Sequence, residues 1–149
     1  MYLDSAYIAK FYVNEPDSPA VRELMFTAQT LISSAWAIAE VACVFHRHWC
    51  EGSLEEQHVS DLLDAFIDHV EAGFWNLLPV SDAILRRSAL WIKGTPHSVY
   101  LRPGDAIHLA TAQDAGEREI WTSDRHMLAA AKHLGIRGRT VQATQQRPR

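Results

Sequence analysis

Short β-like runs alternate with longer helical patterns along the 149-residue chain, and this alternation constrains the fold more than any other feature. Five runs predict strands, at residues 2–3, 30–33, 76–80, 119–122 and, most weakly, 139–141. Strands separated by helices favour a parallel sheet with helices on both faces. The sequence therefore predicts an α/β fold.

The segments between these runs carry apolar residues at helical spacing. Two consecutive helical patterns, 35–50 and 54–75, lie between the second and third predicted strands, and we expect them to form a helical hairpin that projects from the sheet edge. Further helices are predicted over residues 103–115 and 124–134, each followed by a glycine. Because no repeat or linker interrupts the chain, we expect a single domain over residues 1–149.

Composition and charge indicate a globular protein. Apolar residues make up 48% of the chain, yet no apolar run approaches the roughly 18 residues that span a bilayer, and the N-terminus lacks the basic region of a signal peptide. We therefore expect a cytoplasmic protein without a membrane partner. The net charge is −4, but residues 125–149 hold six basic and no acidic residues. Such an end can attract phosphate or an acidic partner, although charge alone favours a solvated tail.

Four acids, Asp4, Glu40, Asp105 and Asp124, stand near predicted strand ends or helix starts. In open parallel sheets, ligands bind beyond the carboxyl ends of the strands, and all four acids can reach that edge. Taken singly, each has an ordinary explanation, since the three aspartates could cap helices and Glu40 could be solvated. Glu40, however, lies in the otherwise apolar segment 36–44, where a lone acid needs a partner.

A divalent cation shared by the four carboxylates would provide that partner. Mg²⁺ and Mn²⁺ prefer oxygen ligands and retain several waters. A bound ion of this kind also makes water nucleophilic near neutral pH and offsets charge on a phosphate. We therefore predict that these acids form a catalytic metal site. Which of them accepts a proton stays open, and a direct metal contact is least supported for Asp124.

The contexts of the four acids resemble the motifs of the PIN-domain nucleases, most closely the VapC toxins of VapBC toxin–antitoxin pairs. Residues 2–12 are similar to the first motif, 34–40 to the second, 105–112 to the third and 121–125 to the fourth. The four occur in the family's order in a chain of the right length. No single motif decides the matter, so the inference depends on the set.

This resemblance implies a three-layer α/β/α domain with a parallel sheet of about four to five strands and an acidic site for Mg²⁺ or Mn²⁺. It also implies a metal-dependent endoribonuclease, the toxin of a type II pair, with an RNA substrate, a cognate antitoxin and a homodimeric state. Ser5 and Thr122 match family hydroxyl residues that contact ligands or substrate. Ala6 departs from the pattern, because the family often has a second hydroxyl residue there.

Other functions remain open at this point. A PIN-fold nuclease could process RNA without an antitoxin, and a binding protein could retain the fold without catalysis. A phosphotransfer or receiver-type domain is disfavoured, because Asp4-Ser5-Ala6 lacks the second aspartate of a DxD phosphatase motif.

Basic side chains near the four acids have two interpretations each. His108 lies one turn after Asp105, and a packed structural histidine is favoured over a ligand of phosphate or carboxylate. Four arginines are candidate contacts to an RNA backbone, although a surface salt bridge is the simpler interpretation for any one of them: Arg86, Arg87, Arg102 and Arg125.

Overall fold

A five-stranded, wholly parallel sheet organises the protein, with strand order β3–β2–β1–β4–β5. The computed structural model describes residues 1–141, so Arg147 and Arg149 of the basic end lie outside the described residues. The strands are β1 (Tyr2–Leu3), β2 (Leu31–Ser34), β3 (Trp75–Leu78), β4 (Glu119–Trp121) and β5 (Arg137–Arg139). The predicted α/β architecture is confirmed.

Seven helices connect these strands in the described part of the chain. They are α1 (Ser5–Tyr12), α2 (Ser18–Met25), α3 (Ala37–Cys50), α4 (Glu56–Glu71), α5 (Asp82–Gly94), α6 (Pro103–Asp114) and α7 (Arg125–His133). Side chains cap three of them, because Asp4, Ser81 and Asp124 accept bonds from backbone N–H groups in the first turns of α1, α5 and α7. Two of the caps are therefore acids of the predicted site.

The helices cover both faces of the sheet. Adjacent residues of a strand point to opposite faces, and β1 divides in this way. Leu3 packs into a core with α1–α4, whereas Tyr2 packs into a second core with α6 and α7. This arrangement is the three-layer α/β/α fold that the resemblance implied.

The predicted helical hairpin is present as α3 and α4, and its inner face is anchored in the first core. Phe45 of α3 and Phe66 of α4 are both fully buried there. Helix α4 ends at Glu71, earlier than the predicted residue 75. Gly73, at φ +76°, supports the reversal that ends it, and Trp75 already pairs with Leu31 in the sheet.

Strand β5 and helix α1 also differ from the prediction. The fifth strand lies two residues earlier than expected, because Arg137 pairs with Glu119 of β4 directly after the turn at Gly135. Helix α1, which the apolar pattern did not predict, begins at Ser5 immediately after Asp4, the residue that follows β1.

None of the helices within residues 1–141 is both long and apolar enough to cross a membrane.

The connections bring four chain segments to the carboxyl edge of the sheet. Helices α1, α3 and α7 begin after strands β1, β2 and β4, and α6 runs back toward the start of β4, so it also begins at this edge. The central strand β1 lies between β2 and β4. Side chains at these helix starts therefore converge beside the end of β1, as expected for an open parallel sheet.

Candidate active site

A pocket of about 220 Å³ opens at the carboxyl end of β1. All four predicted acids line it, although they come from four different helices or helix caps. The lining residues are Asp4, Ser5, Ala6, Glu40, Val44, Arg102, Asp105, His108, Asp124 and Met127. The structure thus brings the predicted acids together, and their roles as metal ligands and catalytic groups stay predictions.

Asp4 is the most deeply fixed of these acids. Its backbone N–H donates to the carbonyl of Trp121 at 3.0 Å, which extends the pairing of β1 with β4. One carboxylate oxygen accepts a bond from the N–H of Tyr7 at 2.9 Å, and the other accepts a bond from the Thr122 hydroxyl. Burial raises the pKa of Asp4 above its usual value, against the opposing effect of these two bonds.

Thr122 also connects Asp4 to Asp124. Its hydroxyl oxygen accepts a bond from the backbone N–H of Asp124 at 2.9 Å while the hydroxyl donates to Asp4. The predicted contact between Thr122 and the acidic site is therefore present as a buried bridge between two of the four acids.

Glu40 reaches the pocket from the first turn of α3. Oε2 of Glu40 accepts a bond from the Ser5 hydroxyl at 2.5 Å and lies 2.9 Å from Nε2 of His108. Partial burial acts to raise the pKa of Glu40, but the bond and charge of His108 and the bond from Ser5 outweigh it and hold that pKa below its usual value. The acid that looked isolated in an apolar segment thus has two protein partners.

His108 is buried, as the structural interpretation predicted, and it also contacts a carboxylate. Nδ1 of His108 lies 3.1 Å from the Tyr2 hydroxyl, and Nε2 lies 2.9 Å from the Ser5 hydroxyl. When the His108 ring is neutral, every group is satisfied if Tyr2 donates to Nδ1 and Nε2–H donates to Glu40. The one-turn spacing after Asp105 was the only sequence signal for this contact.

Asp105 and Asp124 share one guanidinium group. Nε and one terminal nitrogen of Arg102 donate to the two oxygens of Asp105 at 2.8 and 3.0 Å, and the same terminal nitrogen donates to Asp124. The salt-bridge interpretation of Arg102 is confirmed, but the bridge lies inside the pocket. By contrast, Arg86 and Arg87 pair with Asp82 and Asp114, outside the pocket lining.

Asp124 caps α7 and is held ionised. Its Oδ1 accepts bonds from the backbone N–H groups of His126 at 2.7 Å and Met127 at 3.2 Å. Partial burial acts to raise the pKa of Asp124, but those two bonds and the nearby Arg102 outweigh it and lower that pKa.

Gly104 lets α6 approach α3 closely. A Cβ atom at this position would overlap Oε1 of Glu40 and would lie 3.2 Å from Nε1 of Trp36. A side chain at position 104 would therefore displace the neighbouring carboxylate of Glu40, a consequence that sequence analysis did not identify.

The donor set fits a hard divalent cation. Four carboxylates face one open pocket, and burial of Asp4 disfavours its ionised form unless positive charge lies nearby. Within residues 1–141, no three His, Cys, Asp or Glu side chains are already grouped as ligands of one ion. The guanidinium of Arg102 lies between two of the carboxylates, so a cation bound by both would have to replace it.

Comparison with known proteins gives a family match and a sequence relative for this chain. A family model described as PIN domain matches residues 1–133. Ribonuclease VapC46 of Mycobacterium tuberculosis is 35% identical over 138 residues, which cover 91% of this chain and 93% of that protein.

Solved structures share the fold at low sequence identity. Mycobacterium tuberculosis VapC20, described as a Sarcin-Ricin loop cleaving toxin, superposes with a TM-score of 0.70 at 11% identity, over 87% of this chain and 93% of that chain. A toxin–antitoxin complex from Klebsiella pneumoniae gives a TM-score of 0.54 at 18% identity, over 86% and 89%. The family model, the sequence relative and the shared fold together show that this chain belongs to the PIN-domain family.

Proposed function

We propose that this protein is a divalent-metal-dependent endoribonuclease and the toxin of a type II toxin–antitoxin pair. The observation that carries the proposal is the convergence of Asp4, Glu40, Asp105 and Asp124 on one pocket at the carboxyl edge of the sheet. The 35% identity to a protein named as a ribonuclease supports RNA as the substrate.

The four carboxylates would hold Mg²⁺ or Mn²⁺. A bound ion of this kind lowers the pKa of the attacking water and offsets negative charge on the phosphate. Asp4 is oriented for this task by Tyr7 and Thr122, and Glu40 by Ser5 and His108. Because these partners lie on α1, on α6 and directly after β4, the protein itself orients both carboxylates before any ligand binds.

Cleavage of RNA by the purified protein tests the proposal. We expect cleavage with Mg²⁺ or Mn²⁺, loss of cleavage with EDTA and loss of cleavage in Asp4→Asn. Asp82→Asn is a matched control, because Asp82 is exposed on α5 and pairs with Arg86 outside the pocket. Cleavage that survives both chelation and Asp4→Asn would show that the metal mechanism is wrong.

The toxin role requires a partner protein and predicts an effect on growth. The fold is shared with the toxin–antitoxin complex from Klebsiella pneumoniae, which supports an antitoxin as the partner. We expect induction of this chain in bacteria to arrest growth, and co-expression of the small protein encoded beside it to restore growth. Asp4→Asn should not arrest growth. Light scattering of the purified chain should give the mass of a homodimer.

A further inference from the structure

The guanidinium group of Arg102 lines the pocket. It is more exposed than the two carboxylates that it contacts. Its side chain is 44% exposed, whereas those of its partners Asp105 and Asp124 are 8% and 25% exposed. The residue directly precedes α6 in extended backbone, so its base is held while its long side chain reaches across the pocket mouth. The guanidinium joins two carboxylates that lie 19 residues apart in the chain.

The acids of the pocket differ in what else neutralises them. Asp4 has Tyr7 and Thr122 as donors, and Glu40 has Ser5 and His108. In the described chain, by contrast, Arg102 supplies every side-chain hydrogen bond that Asp105 accepts. A carboxylate this buried requires a counter-charge, so Arg102 serves Asp105 as a protein-borne cation.

This inference rests on the proposed function and concerns how the metal enters. We propose that Arg102 positions Asp105 and Asp124 in the metal-free protein and competes with the divalent cation for them, so that metal binding requires the guanidinium to move away. Each carboxylate oxygen that accepts a hydrogen bond from Arg102 could instead bind a metal ion. Two positive charges held by the same pair of carboxylates would repel each other.

The chemistry of arginine determines how this exchange can occur. A guanidinium stays protonated in proteins, so Arg102 cannot yield the site by losing a proton. The nearby carboxylates raise its pKa further. It can yield only by rotation of its side chain, and its partial exposure gives the released group direct access to water.

Mn²⁺ binding without RNA tests the competition. We would titrate Mn²⁺ into the wild type, Arg102→Gln, Arg102→Lys and the control Arg86→Gln, and count bound ions by electron paramagnetic resonance. We expect Arg102→Gln to bind Mn²⁺ about five- to tenfold more tightly, as removal of two partly screened charge interactions would give. Arg102→Lys should fall between Arg102→Gln and the wild type. Arg86→Gln removes an equal charge from the exposed pair with Asp82 and should bind like the wild type.

Thermal melting separates competition from a purely structural role. With EDTA, Arg102→Gln should melt below the wild type, because Asp105 loses its counter-charge. Saturating Mn²⁺ should raise the melting temperature of this variant more than that of the wild type. A purely structural arginine would give a less stable variant that also binds Mn²⁺ less tightly.

The outcomes distinguish this inference from the proposed function. If the wild type binds Mn²⁺ and cleaves RNA while Arg102→Gln binds Mn²⁺ no more tightly, the competition is refuted and the nuclease proposal stands. If none of the four proteins binds Mn²⁺, both the competition and the metal-dependent nuclease proposal are refuted. Should Arg102→Gln fail to fold, Arg102→Lys decides, since a lysine cannot form the bidentate bond to Asp105 and should still bind Mn²⁺ more tightly than the wild type.

Discussion

Replacement of Thr122 by valine should destabilise the protein strongly, although the two side chains have nearly equal volumes. Thr122 is 0% exposed, and its hydroxyl group both donates to Asp4 and accepts from the N–H of Asp124. Loss of a hydrogen bond to a charged group costs about 1.5–3 kcal/mol, and an unpaired N–H adds to that cost. We expect Thr122→Val to lower the free energy of unfolding by about 2–4 kcal/mol at neutral pH without metal.

Thr111→Val is the matched control for this change. Thr111 is equally buried, but its hydroxyl donates within α6 to the carbonyl of Ile107 at 2.7 Å, a group that helix formation already satisfies. Its second neighbour, the Ser34 hydroxyl, is 3.4 Å away. We expect Thr111→Val to cost less than about 1 kcal/mol.

The cost of Thr122→Val should also depend on pH, because the lost bond stabilises the ionised form of Asp4. Burial raises the pKa of Asp4 in the folded protein, and loss of the Thr122 bond raises it further. The folded variant therefore binds a proton more readily, and its deficit relative to the wild type shrinks as the pH falls through that raised pKa. The loss of the Asp124 N–H partner persists at low pH.

Urea unfolding in EDTA at several values between about pH 4 and pH 8 measures both effects. The wild type, Thr122→Val and Thr111→Val should give parallel slopes, so that differences in midpoint report stability. A Thr122→Val cost within about 0.5 kcal/mol of the Thr111→Val cost, or one that does not change with pH, would refute the assigned bridge between Asp4 and Asp124.

Three further predictions concern the same pocket. Gly104→Ala should weaken Mn²⁺ binding in calorimetry, because the new Cβ displaces the carboxylate of Glu40. The melting temperature should stay near the wild-type value, since only the flexible end of Glu40 must move. Gly94→Ala, with no neighbour near its Cβ, should change neither the Mn²⁺ affinity nor the melting temperature. His108→Gln should raise the pKa of Glu40 in the folded protein. As the pH falls, the stability that ionised Glu40 contributes should then be lost at a higher pH than in the wild type. Urea unfolding that shows the same loss of stability at acidic pH in both proteins would contradict this. Mn²⁺ should raise the melting temperature of the wild type, and Asp4→Asn should reduce that increase.

The sequence alone was sufficient to predict the layers of the fold and the group of acids. Alternating strand and helix patterns predict a parallel sheet, and such a sheet brings the helix starts after β1, β2 and β4 to one edge whatever side chains they carry. Asp4 directly follows β1, and Asp124 follows β4 after Thr122 and Ser123, so their meeting depends on topology alone. Local patterns were weaker at element ends, where the turn at Gly73 and the pairing of Trp75 moved a boundary.

Only the tertiary structure decided which side chains neutralise the acids. Arg102 bonds to Asp124 across 22 residues of chain, and His108 bonds to Glu40 across 68. Such pairs depend on how closely two helices approach, since a Cβ atom added at Gly104 of α6 would overlap Oε1 of Glu40 on α3. Periodicity describes which face of a helix is buried, but it carries no information about how closely two helices approach. The position of the Arg102 guanidinium between Asp105 and Asp124 therefore follows only from the packing of α6 and α7 against the sheet.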